Sequence, residues 1–205
     1  GAELIASDLE REIFPARVVE YQPPDLDGLL ASGEVVWMGR GPLGSRDGRI
    51  SLYLAASLGS LVAEEKIPDE LSGRASEILN FLREQGASFH ATIHQAGGGG
   101  FPNDTSDALW ELVWAGLITN DTYQPVRSLL FSSEKERPRG STAYLPPGSP
   151  GFLERFRARR GGGRVGEGRW SLVQQRIAAR STPTEWSAAT AQQLLVRNGI
   201  VMRAT

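Results

Sequence analysis

The 205-residue sequence contains no cysteine, and only two histidines and two methionines. No apolar run approaches the ~18 residues of a membrane-spanning helix, so no membrane partner is expected. The missing thiols exclude a disulfide framework, Cys-ligated zinc and a cysteine nucleophile. His90 and His94 are four residues apart, but position 91 is alanine and no third histidine exists, so no metal site is expected. A phosphate-gripping Gly-x-x-x-x-Gly-Lys-Ser/Thr loop is also missing. Gly39-x-Gly41-x-x-Gly44 matches a dinucleotide fingerprint in letters, yet it leads into another strand rather than the helix that would meet a pyrophosphate. No cofactor is therefore expected in these residues. The carboxylate pairs Asp25/Asp27 and Asp104/Asp107 stand at helix starts, where the helix dipole accounts for them, and no catalytic residue is assigned.

One further absence is local. From Glu84 to Val126 there is no lysine or arginine, although five carboxylates fall there. The overall charge of −2 thus hides a net −10 over residues 1–133 and +8 over residues 134–205. Of the 22 basic residues 20 are arginine, the side chain suited to bidentate contacts with phosphate or carboxylate.

The pattern of what is present predicts an α+β fold. Residues 8–20 read as a connecting segment stopped near Pro15, and Asp25 as the cap of a short helix over 26–31 that ends at Gly33. Glu34–Met38 and Arg49–Leu54 read as two strands around a glycine- and arginine-bearing tip. A helix followed by such a hairpin is the last part of a winged helix. From Ser72, Ala75, Ile78, Leu79 and Leu82 form one apolar helical stripe. Residues 88–95 follow, then a helix capped among Asn103–Ser106 and carrying Trp110 and Trp114, then a short strand at 117–119. That order is helix-turn-helix architecture. Residues 131–168 hold 12 glycines and prolines, too many for one continuous element. Arg169–Val173 reads as a strand, Thr184 as a helix cap, and Ile200 as the start of another strand. The expected organisation is the end of a winged-helix module with its wing hairpin (1–60), a winged-helix module (72–127), a Gly/Pro/Arg-rich linker (128–168) and the start of a further module (169–205). With no initiating Met and an unfinished last strand, the chain reads as a piece of a longer one.

A Trp-rich helix in the recognition position would ordinarily enter a DNA groove, but a unit without cations cannot meet the roughly one phosphate charge per 1.7 Å of duplex. Trp110 and Trp114 are instead candidates for an interface with neighbouring modules or a second copy. The nucleic-acid candidates are Arg155, Arg157, Arg159, Arg160, Arg164 and Arg169, interleaved with Phe152, Phe156 and Trp170. A solvated basic loop, or one docked on the acidic half, is the alternative. Arg40, Arg46 and Arg49 at the hairpin are a weaker second set.

Three blocks, Glu34–Leu54, Ala108–Arg127 (Ala-Leu-Trp-Glu-Leu-Val-Trp-Ala-Gly-Leu at its head) and Gly168–Leu172 with Gln193–Arg203, resemble the C-terminal region of the bacterial large helicase-related (Lhr) proteins. The resemblance implies an ATP-dependent DNA helicase of 3′-to-5′ polarity acting in repair, in a bacterial cytoplasm beside the nucleoid. ATP and Mg would serve ATPase lobes outside this sequence. It further implies a string of winged helices similar to those of AlkZ-type DNA glycosylases, so that this segment is part of a larger C-terminal domain. The Gln-x-Gln motif of those glycosylases is missing, as Gln174-Gln175 and Gln192-Gln193 have other spacings. Three roles stay open: an accessory module engaging single-stranded or forked DNA, a homo-oligomeric or inter-module scaffold touching other domains of the helicase, and a part in damaged-base removal.

Overall fold

In a computed structural model, the chain is described over residues 2–62, 67–68, 70–131 and 167–198. It opens on strand β1 (Leu4–Ile5), followed by α1 (Ala6–Asp8), which runs on as a π-helical turn over Leu9–Ile13. Up to Ile13 the expected connector is therefore helical. Leu9 is drawn fully into the core, and a π turn has no 3.6-residue stripe to read in sequence. Helix α2 (Pro23–Ala31) begins on two prolines, whose missing N–H groups cost nothing in a first turn. Asp25 lies inside that turn rather than capping it, and accepts the Gln22 N–H at 2.8 Å.

Strands β2 (Val35–Leu43) and β3 (Asp47–Leu54) form the expected hairpin, but longer, because Gly39 to Leu43 pair instead of looping out. The register slips between Gly39 and Gly41, leaving Arg40 at a bulge. With β1 against β3 the sheet order is β1-β3-β2. The fingerprint glycines thus lie in a hairpin with no helix behind it. Helix α3 (Leu58–Leu61) closes this unit.

In the second unit Ser72 caps α4 (Gly73–Gln85), accepting the Ala75 N–H at 3.1 Å, and the predicted stripe Ala75, Ile78, Leu79, Leu82 is buried. Strand β4 (Ser88–Phe89) and helix α5 (His90–Ala96) lead to α6 (Pro102–Trp114). Helix α6 starts earlier than the polar residues 103–106 indicate, because Pro102 supplies its first turn. Strand β5 (Ile118–Asn120) and an unexpected helix α7 (Gln124–Leu130) follow. Strand β6 (Arg169–Leu172) then inserts between its partners in the order β4-β6-β5.

The fold is thus α+β, with two winged-helix units of the same strand order. The second sheet draws its central strand from residues expected to open a further module: Ser88 lies opposite Trp170, and Ile118 opposite Leu172. Strands β5 and β6, adjacent in this sheet, are thus separated in sequence by residues 121–168. Helix α8 (Pro183–Asn198), where the described part ends, packs on α3, and the Trp186 indole donates to the Leu61 carbonyl at 3.3 Å. Its capping box uses Thr182 and Glu185 rather than Thr184.

The two units share one core, in which Leu9, Leu26, Leu30, Trp37 and Ile50 of the first pack with Leu82, Leu109, Leu112, Tyr123 and Trp170 of the second. Gly39 and Gly48 permit this approach. A Cβ on the first would collide with the Val113 backbone, and one on the second with the Trp114 ring.

Candidate nucleic-acid interface

In a winged helix two features can meet DNA, the recognition helix and the wing. Helix α6 is the recognition helix of the second unit, and its inner face is buried from Thr105 to Val113. Its outer face carries Asp104, Asp107 and Glu111 and no base; Glu111 accepts hydrogen bonds from Ser72 N at 2.7 Å and Ser72 Oγ at 2.6 Å. Trp110 is buried and stacks on Trp114 at 5.3 Å, and Trp114 covers Gly48 of the preceding hairpin. Both candidate interface tryptophans thus pack within this chain, Trp114 against the neighbouring hairpin and Trp110 against Trp114 and Trp170. Helix α2 holds the corresponding position in the first unit and is equally acidic. Asp27 accepts the Tyr123 N–H at 2.8 Å and pairs with Arg127 at 2.6 Å. Neither recognition helix presents a cation.

The candidate cations lie elsewhere. Arg169 stands at the foot of the second wing, where Asp121 takes its Nε at 2.8 Å and its backbone N–H at 2.6 Å. Its charge is therefore met within the fold. Arg155, Arg157, Arg159, Arg160 and Arg164 lie outside the described residues, in the sequence between Asp121 and Arg169. On the first wing Arg46 and Arg49 are exposed, and no described carboxylate pairs with either. Arg40 leaves the bulge to donate to Ser51 Oγ at 3.3 Å and to the Tyr53 hydroxyl, with its guanidinium 5.6 Å from the Tyr53 ring centre.

Two groups that the sequence did not single out hold these wings in place. Arg127 joins the units by pairing with Glu10 and Asp27, and Glu10 also accepts the Tyr21 hydroxyl at 2.5 Å. Burial first, and then the Glu10 hydrogen bond, push the Tyr21 phenol well above its ordinary range. The signal was available: Arg127 is the first base after a long acidic stretch, and such an isolated cation tends to be paired. Arg74 donates to the carbonyls of Gly97 and Gly99 and to Thr105, tying the glycine run to α6.

The two histidines serve packing as well. On α5 their rings are stacked 6.3 Å apart; His90 meets Ser106 Oγ at 3.3 Å, and His94 meets Thr105 Oγ1 at 2.8 Å. Among the described residues no three His, Asp or Glu side chains gather as a metal site would require. Burial, and secondarily His94, lower the His90 pKa. The unfolded chain therefore takes up a proton first as pH falls below ~6.5, and stability declines from that point until the folded ring also protonates. The melting temperature is expected to fall between pH 7 and 5, with a shallower slope in His90→Gln. Equal slopes in the two proteins would refute this.

Comparison with known proteins agrees with the architecture. Residues 1–55 match a family model described as the winged-helix domain of large helicase-related protein. Across 99% of its length the chain is similar to the Lhr helicase/probable uracil glycosylase of Mycolicibacterium smegmatis, at 34% identity over 212 residues. It is likewise similar across 99% of its length to the Lhr helicase/uracil glycosylase of Escherichia coli, at 34% identity over 228 residues. The chain spans 13% and 14% of the length of these two relatives.

Proposed function

Since the chain belongs to the large helicase-related family as one of its winged-helix regions, we propose that it is an accessory segment of a DNA helicase that engages DNA through its wings. The parent is an ATP- and Mg-dependent 3′-to-5′ translocase acting in DNA repair, and its ATPase lobes lie outside these residues. The observation that carries this reading is the pairing of Asn120 opposite Trp170. The chain leaves the sheet at Asn120 and re-enters it on the adjacent strand at Trp170, and the sequence between these two residues contains Arg155, Arg157, Arg159, Arg160 and Arg164, while neither recognition helix carries a base. Asp121 and Arg169 clamp the foot of that loop. Single-stranded or forked DNA is the partner, because a glycine-spaced arginine loop follows a flexible backbone more readily than it reads base edges.

The test is binding of labelled single-stranded and forked DNA across a salt series. Charge reversal at Arg157, Arg159 and Arg160 together is expected to weaken binding about tenfold or more and to lower the slope of log K against log salt by about two, at ~0.7 per single-strand contact. Unchanged affinity and slope would overturn the proposal.

A scaffold role is favoured by a separate observation, the placement of Trp110 and Trp114 against the preceding hairpin. In that reading the acidic unit holds neighbouring modules of one helicase chain together. No side chain here is assigned to base excision.

A further inference from the structure

A cleft of about 290 Å³ lies between the first unit and α8, lined by Arg40, Tyr53, Ser57, Trp186, Gln193 and Arg197 among others. We infer that it binds one nucleotide of a single DNA strand, with the base against Trp186 and the phosphate between Arg40 and Arg197. This rests on the reading of the protein as a DNA-engaging module, but uses a place separate from the second wing.

Three features support the assignment. First, the charge is of one sign. Two guanidiniums and no carboxylate are found among the described lining residues, and neither Arg40 nor Arg197 forms an ion pair with a described carboxylate. Two arginines, neither paired with a described carboxylate, lining one cleft fit an anion.

Second, the site is preorganised on one side. The β-bulge turns Arg40 out of the strand register, and Ser51 Oγ, the Tyr53 hydroxyl and the Tyr53 ring fix its guanidinium. Bulges commonly re-aim side chains in this way. Arg40 so held lines the cleft.

Third, an aromatic platform is available. Trp186 is 37% exposed, whereas Trp37 and Trp170 are fully buried and Trp110 nearly so. Its Nε1 is bound to the Leu61 carbonyl, which fixes the ring while leaving a face open to the cleft. Gln193 and Thr190 add polar groups for a base edge or sugar. The volume is near the ~300 Å³ at which small-ligand clefts begin, enough for one nucleotide rather than a duplex. Stacking on an indole tolerates any base, so affinity without sequence preference is expected.

The experiment uses the full chain and a labelled oligo(dT), with tryptophan emission followed during titration. Quenching is expected on binding and should disappear in Trp186→Phe, which retains an aromatic ring and most of the affinity. Arg197→Glu, a change at an exposed and unpaired position that leaves folding intact, should weaken binding about tenfold. Arg40→Lys, which keeps the charge but not the fork, should weaken it less. Free dTMP at the same nucleotide concentration should not displace the strand. Quenching that persists in Trp186→Phe, unchanged affinity in Arg197→Glu, or displacement by dTMP would each overturn the inference. If the wing reversals weaken binding while Arg197→Glu does not, this cleft fails and the wing proposal stands. If Arg197→Glu weakens binding while the wing reversals do not, the reverse holds.

Discussion

Replacing Trp37 by alanine is expected to destabilise the protein by about 4 kcal/mol, within the ~3–5 kcal/mol of a buried tryptophan deletion. Trp37 is fully buried at the seam of the two units. Its ring lies edge-on to Tyr123 at 6.3 Å and to Trp170 at 6.5 Å, and Trp170 continues to Trp110 at 6.2 Å. The backbone of the same residue accepts the Thr119 hydroxyl at 2.6 Å, and its Nε1 donates to the Thr122 carbonyl at 3.1 Å. Alanine would leave a cavity in the shared core and strip the Thr122 carbonyl of its donor. Trp37→Phe keeps most of the volume and loses the donor, so it should cost much less. Denaturant midpoints at constant slope measure the order. Because this side chain lies in the core that the two units share, amide exchange should accelerate in β5 and α6 as well as in β2. Acceleration confined to the first unit would contradict a shared core.

Which parts of this arrangement were legible follows from where the information resides. The stripe Ala75, Ile78, Leu79, Leu82 and the hairpin alternation Ile50, Leu52, Leu54 are local, and local periodicity placed α4, β2 and β3. The lack of cations from Glu84 to Val126 is equally local, and the outer face of α6 indeed carries acids and no base. What sequence could not convey is long-range pairing. Strand β6 was visible as Arg169–Val173, but nothing in those residues says that Trp170 lies opposite both Ser88 and Asn120. A boundary drawn at 169 therefore separated β6 from the two strands it pairs with. Helix α7 was hidden by Pro125, which reads as a breaker but sits in a first turn, where it is tolerated. The cleft at Trp186 joins Arg40 to Arg197, residues from opposite ends of the chain, and no spacing rule connects them. The recognition that Arg155 to Arg164 form a charged block was local and needed no fold.

Arg127→Met is expected to cost about 3 kcal/mol, the scale of breaking a largely buried ion pair from one side. The Arg127 side chain is 11% exposed, and its partners Glu10 and Asp27 are 17% and 25% exposed. Its Nε and one terminal nitrogen fork onto the two Glu10 oxygens at 2.7 Å each, and the other terminal nitrogen reaches Asp27 at 2.6 Å. These bonds hold the guanidinium protonated, raising its pKa despite the opposing effect of burial. Methionine keeps an unbranched stem of similar length but removes the guanidinium that lies over the Tyr123 ring and leaves the Glu10 and Asp27 carboxylates with no cation between them. The cost is thus of charge rather than volume, and two measurements separate them. Acidification from pH 7 to 4 should restore stability to Arg127→Met relative to the parent protein, because protonating either carboxylate relieves the repulsion. The triple change Glu10→Gln, Asp27→Asn, Arg127→Met should recover most of the loss, as an ion cluster exchanged for neutral groups of similar volume is often near neutral. If the triple variant were no more stable than Arg127→Met, the clasp would be a packing contact and the charges incidental. If instead it recovers stability but weakens DNA binding, the clasp also sets the relative placement of the two units, since Glu10 and Asp27 belong to the first and Arg127 to the second.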